Sequence, residues 1–133
     1  MDLITIIIST YKGEKGIVEC VRSALSQDYE NYEVIVVDDN GKETVSQKET
    51  EQLLNEFKSN SRFKYIAHEK NINGSAARNT GIRNARGTYL AFLDDDDVLM
   101  PDSIRLRYEK LSSMPDEYGI VFSSFEQFIN GKK

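Results

Sequence analysis

Residues 89–97 read YLAFLDDDD: five apolar or aromatic positions running straight into four consecutive aspartates. An unbroken apolar run of this length, set between Gly87 and a charged turn, is the pattern of a strand buried on both faces. Working outward, residues 3–9 (LITIIIS) are near-continuous isoleucine, residues 32–37 (YEVIVV) repeat the theme, and residues 63–67 (FKYIA) give a shorter strand. Segments of helical period separate them. Ile17, Cys20, Val21, Ala24 and Leu25 follow the i, i+3, i+4, i+7, i+8 spacing of a core-facing helix. Residues 45–58 are polar and weakly amphipathic, with Leu53, Leu54 and Phe57 as apolar contacts. Residues 75–85 read as a helix opened by Asn73-Gly74-Ser75 and closed near Gly87. Pro101 suits the first turn of a further helix carrying Ile104, Tyr108 and Leu111 on one face. Residues 118–128 read as a last, bent strand ending at Asn130-Gly131.

Alternating strands and helices imply right-handed crossovers and a mostly parallel sheet. The expected class is α/β, a three-layer sandwich with the central sheet covered on both faces. In such sheets ligands bind where the C-terminal strand ends gather. The segments that follow the four strands are Thr10-Tyr11-Lys12, Asp38-Asp39-Asn40-Gly41, His68-Glu69-Lys70-Asn71 and Asp94-Asp95-Asp96-Asp97. Both acid clusters therefore fall on the expected ligand edge.

Composition narrows the class further. The 133 residues suit one domain with one core, and 22 acidic against 17 basic side chains leave a net charge of −5. That balance disfavours nucleic acid as a partner, whose binding needs a basic footprint. A single Cys rules out an intramolecular disulfide framework and a cysteine-rich zinc site, consistent with a reducing, cytoplasmic setting. The longest apolar run is far too short to span a bilayer.

Adjacent carboxylates repel, each close pair by about 4 kcal/mol at an effective dielectric of 20. The run at 94–97 thus needs solvent, protons or a cation. Hard divalent ions prefer oxygen ligands, and a strand-anchored Asp-x-Asp leaves coordination positions open for a phosphate. The ordinary alternative is a solvated acidic turn, with Asp97 or Asp102 favouring a helix N-terminus. EF-hand geometry is excluded because neither cluster has a Gly at the sixth loop position. The doublet Asp38-Asp39 is either a turn former or an acceptor for ribose hydroxyls or a base imide. Arg78 lies three, four and seven positions from Gly81, Ile82 and Ala85, so an apolar stripe carries a cation that needs a partner. Tyr11 offers a face for a planar base or is simply an exposed loop residue. Lys70, Arg83 and Arg86 read as solvated, Cys20 as inert core, and His68 receives no role.

Taken together, Ile6-Ile7-Ile8-Ser9-Thr10-Tyr11, Ala24-Leu25-Ser26-Gln27 with Tyr29, and Val36-Val37-Asp38-Asp39 resemble the opening of family 2 glycosyltransferases of GT-A fold. Asn73-Gly74-Ser75-Ala76-Ala77-Arg78-Asn79 through Gly81-Ile82 resembles the next motif of that family. Phe92-Leu93-Asp94-Asp95-Asp96-Asp97 with Pro101-Asp102 resembles its Asp-x-Asp metal motif. The resemblance implies a Rossmann-like nucleotide-binding half. In it Thr10 and Tyr11 line the base, Asp39 accepts a uracil N3–H with Asp38 in support, and Arg78 sits near the base or diphosphate. Asp94 or Asp95 contacts ribose, and Asp96 ligates Mn²⁺ or Mg²⁺. With Asp at every position, the frame (94/96 or 95/97) is not fixed by sequence; 94/96 is preferred.

The resemblance also implies a nucleoside-diphosphate sugar as donor, probed best with UDP, and a glycan or lipid-linked acceptor in a longer protein at the inner face of the membrane. No residue of this sequence is assigned as the catalytic base. The general base and acceptor region of the family are expected beyond Lys133. Residues 1–133 therefore read as a donor-binding domain, truncated, weak or inactive alone and open to self-association. Competing readings are a haloacid-dehalogenase-like phosphatase using Asp94 and Asp96, and a non-catalytic nucleotide-binding module. A response-regulator-like domain lacks its acceptor Asp after the third strand and its later Lys.

Overall fold

The structure is a computed structural model and describes residues 1–129. Its elements run β1 (Ile4–Thr10), α1 (Ile17–Ala24), β2 (Tyr32–Asp38), α2 (Val45–Leu53, continued by a 3-10 turn Leu54–Phe57), β3 (Phe63–Ala67), α3 (Gly74–Asn84), β4 (Tyr89–Asp94) and α4 (Ser103–Ser112). Among the described residues the strands form one sheet in the order β3-β2-β1-β4, with every pair parallel. The β-branched runs do what their composition dictates: branched side chains fit a pleated surface and resist the helix. Registers place Thr10 beside Asp38 and Ser9 beside Asp94, so the strand ends finish level and the acid clusters flank the tip of β1.

Alternation along the strands sends Ile4, Ile6, Ile8, Val34, Val36 and Leu93 to one face. There they meet Ile17, Cys20, Val21 and Ala24 of α1, the 3-10 pair Leu54 and Phe57, and Ile104 of α4. Each such isoleucine, taken fully from water, contributes about 1.5–3 kcal/mol. Among the described residues the other face is covered by α3, where Ala77 packs on Ile35 and Val37. Small residues let this helix approach closely. A Cβ on Gly81 would stand 2.4 Å from Ile7 Cγ2.

That close approach corrects the expected stripe on α3. Ala77 and Gly81 face the sheet, while Ile82 is exposed and Arg78 turns outward to the ligand edge. Among the described residues this third layer is one helix wide: on β4, Leu90 and Phe92 remain 39% and 48% exposed. Pro101 lies in the turn before α4, whose N-cap is Asp102, rather than in the helix's first turn. The helix N-cap expected from Asn73 is present, its side chain accepting from Ala76 N at 2.7 Å.

Arg86, read from sequence as solvated, is largely exposed, and its guanidinium also clamps Glu33 at the opposite sheet edge. Glu33 is buried on β2 and accepts from Arg86 N and Nε, both at 2.8 Å, and from the Thr5 hydroxyl at 2.7 Å. The Thr5 oxygen in turn accepts from Gly87 N at 2.9 Å. Partnering of this kind is what permits a carboxylate inside a sheet.

Residues 118–128 form no strand. Most of their apolar side chains, Phe122 and Phe125 among them, are exposed, and none of the four described strands supplies a ladder for the segment. The expected end at Asn130-Gly131 lies outside the described residues. So does Lys133, the point beyond which the general base is expected. Among the described residues no helix is long and apolar enough to cross a membrane.

Candidate functional site

A cleft of about 260 Å³ opens where the ends of β1, β2 and β4 meet the start of α3. Ser9, Thr10, Tyr11, Asp39, Gly74, Ala77, Arg78, Asp94, Asp95 and Asp96 line it. Every residue assigned to the site from sequence is there except Asp38 and, in the alternative 95/97 frame, Asp97. Thr10 and Asp95, 85 positions apart in the chain, meet here because β1 lies between β2 and β4.

The two acids of the first doublet part company. Asp38 closes the ladder of β2 with its side chain turned into the protein, fully buried. Its Oδ1 accepts from Asn40 N and Nδ2 at 2.9 and 2.8 Å, and its Oδ2 from the Tyr65 hydroxyl at 2.6 Å. Burial raises its pKa above the ordinary carboxylate value, and the donations from Tyr65 and Asn40 only partly oppose this. Tyr65, buried against that carboxylate, is itself pushed well above a free phenol. Asp38 thus holds the shape of the loop from inside. Asp39 faces the cleft.

Asp39 is held on several sides. Oδ1 accepts from Ile72 N at 2.9 Å and meets His68 Nδ1 at 2.8 Å, and Oδ2 accepts from Asn71 Nδ2 at 2.8 Å. Sequence reasoning passed over His68, Asn71 and Asn40. The signal that would have found them is position: each follows a strand on the same edge as the acids.

The four-aspartate run also divides by role. Asp95 turns back under the β1–α1 loop, accepting from Thr10 Oγ1 at 2.8 Å and Tyr11 N at 3.3 Å. Gly13 makes room for it, since a Cβ there would stand 2.1 Å from Asp95 Oδ2. The same loop is tied on its other side, where Lys12 N donates to Asn40 Oδ1 at 2.8 Å. Asp94, Asp96 and Asp97 remain outward, with carboxylate oxygens within 4.8 Å of one another. Burial, then the neighbouring Asp96, Asp94 and Asp95, push the Asp97 carboxyl above its usual range. This crowding of hard oxygen donors suits a divalent cation. Asp94 and Asp96 thus line the cleft together, while Asp95 is engaged by the β1–α1 loop.

Arg78 reaches Asp94 Oδ1 at 3.5 Å with both side chains largely exposed. Such a pair is worth about 0–1 kcal/mol, so the guanidinium is easily surrendered to a better anion. Gly74 brings the N-terminus of α3 to the same wall, where backbone N–H groups and the helix dipole favour negative charge. Tyr11 stands half exposed at the mouth. Cys20 plays no chemical part: burial, then the neighbouring aspartates, push its thiol up to about 12, and its Sγ contacts Asp94 O at 3.3 Å.

Known proteins resemble this chain in sequence and fold. The chain is 35% identical over 120 residues to an uncharacterized glycosyltransferase of Rickettsia conorii, covering 90% of this chain and 18% of that protein. It is 39% identical over 104 residues to the Escherichia coli UDP-Glc:alpha-D-GlcNAc-diphosphoundecaprenol beta-1,3-glucosyltransferase WfaP, covering 78% of this chain and 39% of that one. A crystal structure of S. aureus TarS 1-349 in complex with UDP superposes with a TM-score of 0.73 at 25% identity, covering 96% of this chain and 40% of that 1-349 chain. The chain therefore spans less than half the length of these proteins, and its fold matches that of GT-A glycosyltransferase structures. The family model for glycosyl transferase family 2 matches residues 5–130, and the chain belongs to that family.

Proposed function

We propose that the chain binds the donor of a family 2 glycosyl transfer, a uridine-diphosphate sugar, together with a divalent cation. The observation that carries this reading is the cleft itself, in which Thr10, Tyr11, Asp39, Arg78, Asp94, Asp95 and Asp96 converge. Tyr11 offers its ring to the base and Asp39 an acceptor to the uracil N3–H. Arg78 and the start of α3 receive the diphosphate, and the ribose lies against Asp94 with Asp95 behind it. Asp96, with Asp94 and Asp97 in reach, would hold Mn²⁺ or Mg²⁺, which when bound supplies positive charge to a departing diphosphate. UDP in the TarS complex and UDP-Glc in the name of the E. coli relative support uridine as the nucleoside.

An inverting transfer also needs a carboxylate to take the acceptor's proton. Each carboxylate on this cleft already has a donor-side task. We therefore assign the base and the glycan or lipid-linked acceptor to a further region of a longer protein, beyond Lys133, and expect little transfer from residues 1–133 alone. Neither the phosphatase reading of Asp94 and Asp96 nor a non-catalytic module is favoured by the family match.

Calorimetric titration tests the proposal. UDP binds in the presence of Mn²⁺, binding weakens sharply without it, and Asp96→Ala abolishes the metal dependence. Failure of every nucleoside diphosphate to bind with metal present overturns the assignment.

A further inference from the structure

His68 is a side chain at the ligand edge that neither the motifs nor the proposed chemistry uses, yet it is nearly as buried as Asp39: their side chains are 10% and 3% exposed. Its ring spans two elements. Nδ1 lies 2.8 Å from Asp39 Oδ1 on the β2 loop, and Nε2 lies 2.8 Å from Thr80 Oγ1 in the middle of α3. Proton accounting fixes the sense of the first contact. Asp39 already accepts from Ile72 N on Oδ1 and from Asn71 on Oδ2, and a carboxylate has no proton to give, so Nδ1 is the donor. The second contact is adaptable. Thr80 has one hydroxyl proton and two acceptors for it, His68 Nε2 and Ala76 O at 3.0 Å, so Nε2 either accepts from Thr80 or donates to it. In both cases Nδ1–H stays on Asp39.

The consequence for Asp39 follows by counting lone pairs. Oδ1 has two and both are taken, by Ile72 N–H and His68 Nδ1–H. Oδ2 has one taken by Asn71. A single acceptor direction is left on a carboxylate that can neither rotate nor donate. We infer that His68 is a positioning residue for base selection: by pinning Oδ1 between β2 and α3, it leaves Asp39 one oriented acceptor, which admits a base presenting a ring N–H (uracil) and rejects one presenting a ring nitrogen lone pair (cytosine). This rests on the reading of the cleft as a nucleotide site and adds to it the origin of its selectivity. Without the histidine, Asp39 is still held by Ile72 N and Asn71, but Oδ1 regains a free lone pair; that second acceptor direction can take the N4–H₂ donor of cytosine, and discrimination relaxes.

The test is titration of the full chain, with Mn²⁺ present, using UDP, CDP and inorganic pyrophosphate as separate probes. His68→Leu weakens UDP about tenfold, the scale of one charge-assisted hydrogen bond. It lowers the UDP-over-CDP preference by a similar factor and leaves pyrophosphate unchanged. His68→Asn, whose amide nitrogen can take the place of Nδ1, recovers most of both. Thr80→Val, which removes only the far anchor of the ring, gives a smaller loss of the same kind; this pair carries the test if His68→Leu does not fold. Equal weakening of UDP and pyrophosphate in a folded variant, or an unchanged UDP-to-CDP ratio, overturns the inference while the site reading stands. Wild-type protein that binds neither nucleotide overturns both.

Discussion

Gly81→Ala on α3 sets two well-defined effects against each other. In an exposed helix the substitution gains about 1 kcal/mol, because alanine gives up less backbone freedom than glycine. Here the new methyl would lie 2.4 Å from Ile7 Cγ2 and 3.3 Å from Ile7 Cγ1, whereas unstrained carbons rest about 3.5–4.0 Å apart. Ile7 sits in the middle of β1, paired on both sides and essentially without exposure, so it has nowhere to turn. The helix must lift by about 1 Å or the isoleucine must leave its rotamer, and overpacking of this type costs about 1–3 kcal/mol. The net expectation is a loss of about 0–2 kcal/mol. Urea unfolding checks it as a lower midpoint at unchanged slope. Ile7→Ala in the same chain removes the opposing atoms, so the double mutant is more stable than the two single losses predict, by about 1 kcal/mol. Because α3 also carries Arg78 and Gly74 to the cleft, UDP binding weakens in the single mutant and recovers in the double. A gain approaching the full helix-propensity value of about 1 kcal/mol in Gly81→Ala would falsify the claim that small residues on α3 exist to let it reach the sheet.

Two further changes probe the ends of the sheet. Glu33→Gln keeps the shape of the clamp but sets an amide N–H₂ against the N–H groups of Arg86 or the Thr5 hydroxyl, costing about 1–3 kcal/mol at neutral pH. Burial alone would raise the Glu33 pKa, but hydrogen bonds from Arg86 and Thr5 more than offset it, leaving it below its ordinary 4.5. A lowered carboxylate contributes stability that is present above that value and is lost as pH falls through the folded one. The gap between wild type and Glu33→Gln therefore narrows below pH 4.5 in denaturation curves taken across pH; a gap that widens there refutes the clamp. At the other edge, Gly13→Ala drives a methyl into Asp95 Oδ2 and Thr10 Oγ1, at 2.1 and 2.5 Å. Far-UV circular dichroism stays native while UDP affinity falls about tenfold or more, the loss expected when a polar contact network that orders the cleft is broken; unchanged affinity refutes the role given to Asp95.

What was legible in the sequence was whatever strand composition and position decide. The isoleucine-rich runs gave the parallel sheet, and the residues that follow those runs gave the cleft, because a parallel sheet has only one C-terminal edge. Side-chain direction within a cluster was less readable. Asp38 and Asp39 are chemically identical neighbours, and only the pleat of β2 decides that one enters the core and the other the cleft. Asp95 is separated from Asp94 and Asp96 by the room left at Gly13, which sits in a different loop. His68 was missed for the same reason: its importance lies in two partners contributed by distant segments. The strand expected at 118–128 shows the opposite limit, since apolar alternation requires a neighbouring strand before it becomes a ladder.

The strand order has a kinetic side as well. β1, β2 and β3 are successive in the chain and add to one another on one side, while β4 must return past them to pair with the far edge of β1. Ser9 meets Asp94 only through that last, most distant pairing, the one with the largest loop to close. Half of the cleft is therefore absent from any intermediate that has assembled only the first three strands. Ligand capture and completion of the sheet become one event, and a nucleotide added during refolding will trap the chain at its final step without hastening the earlier ones.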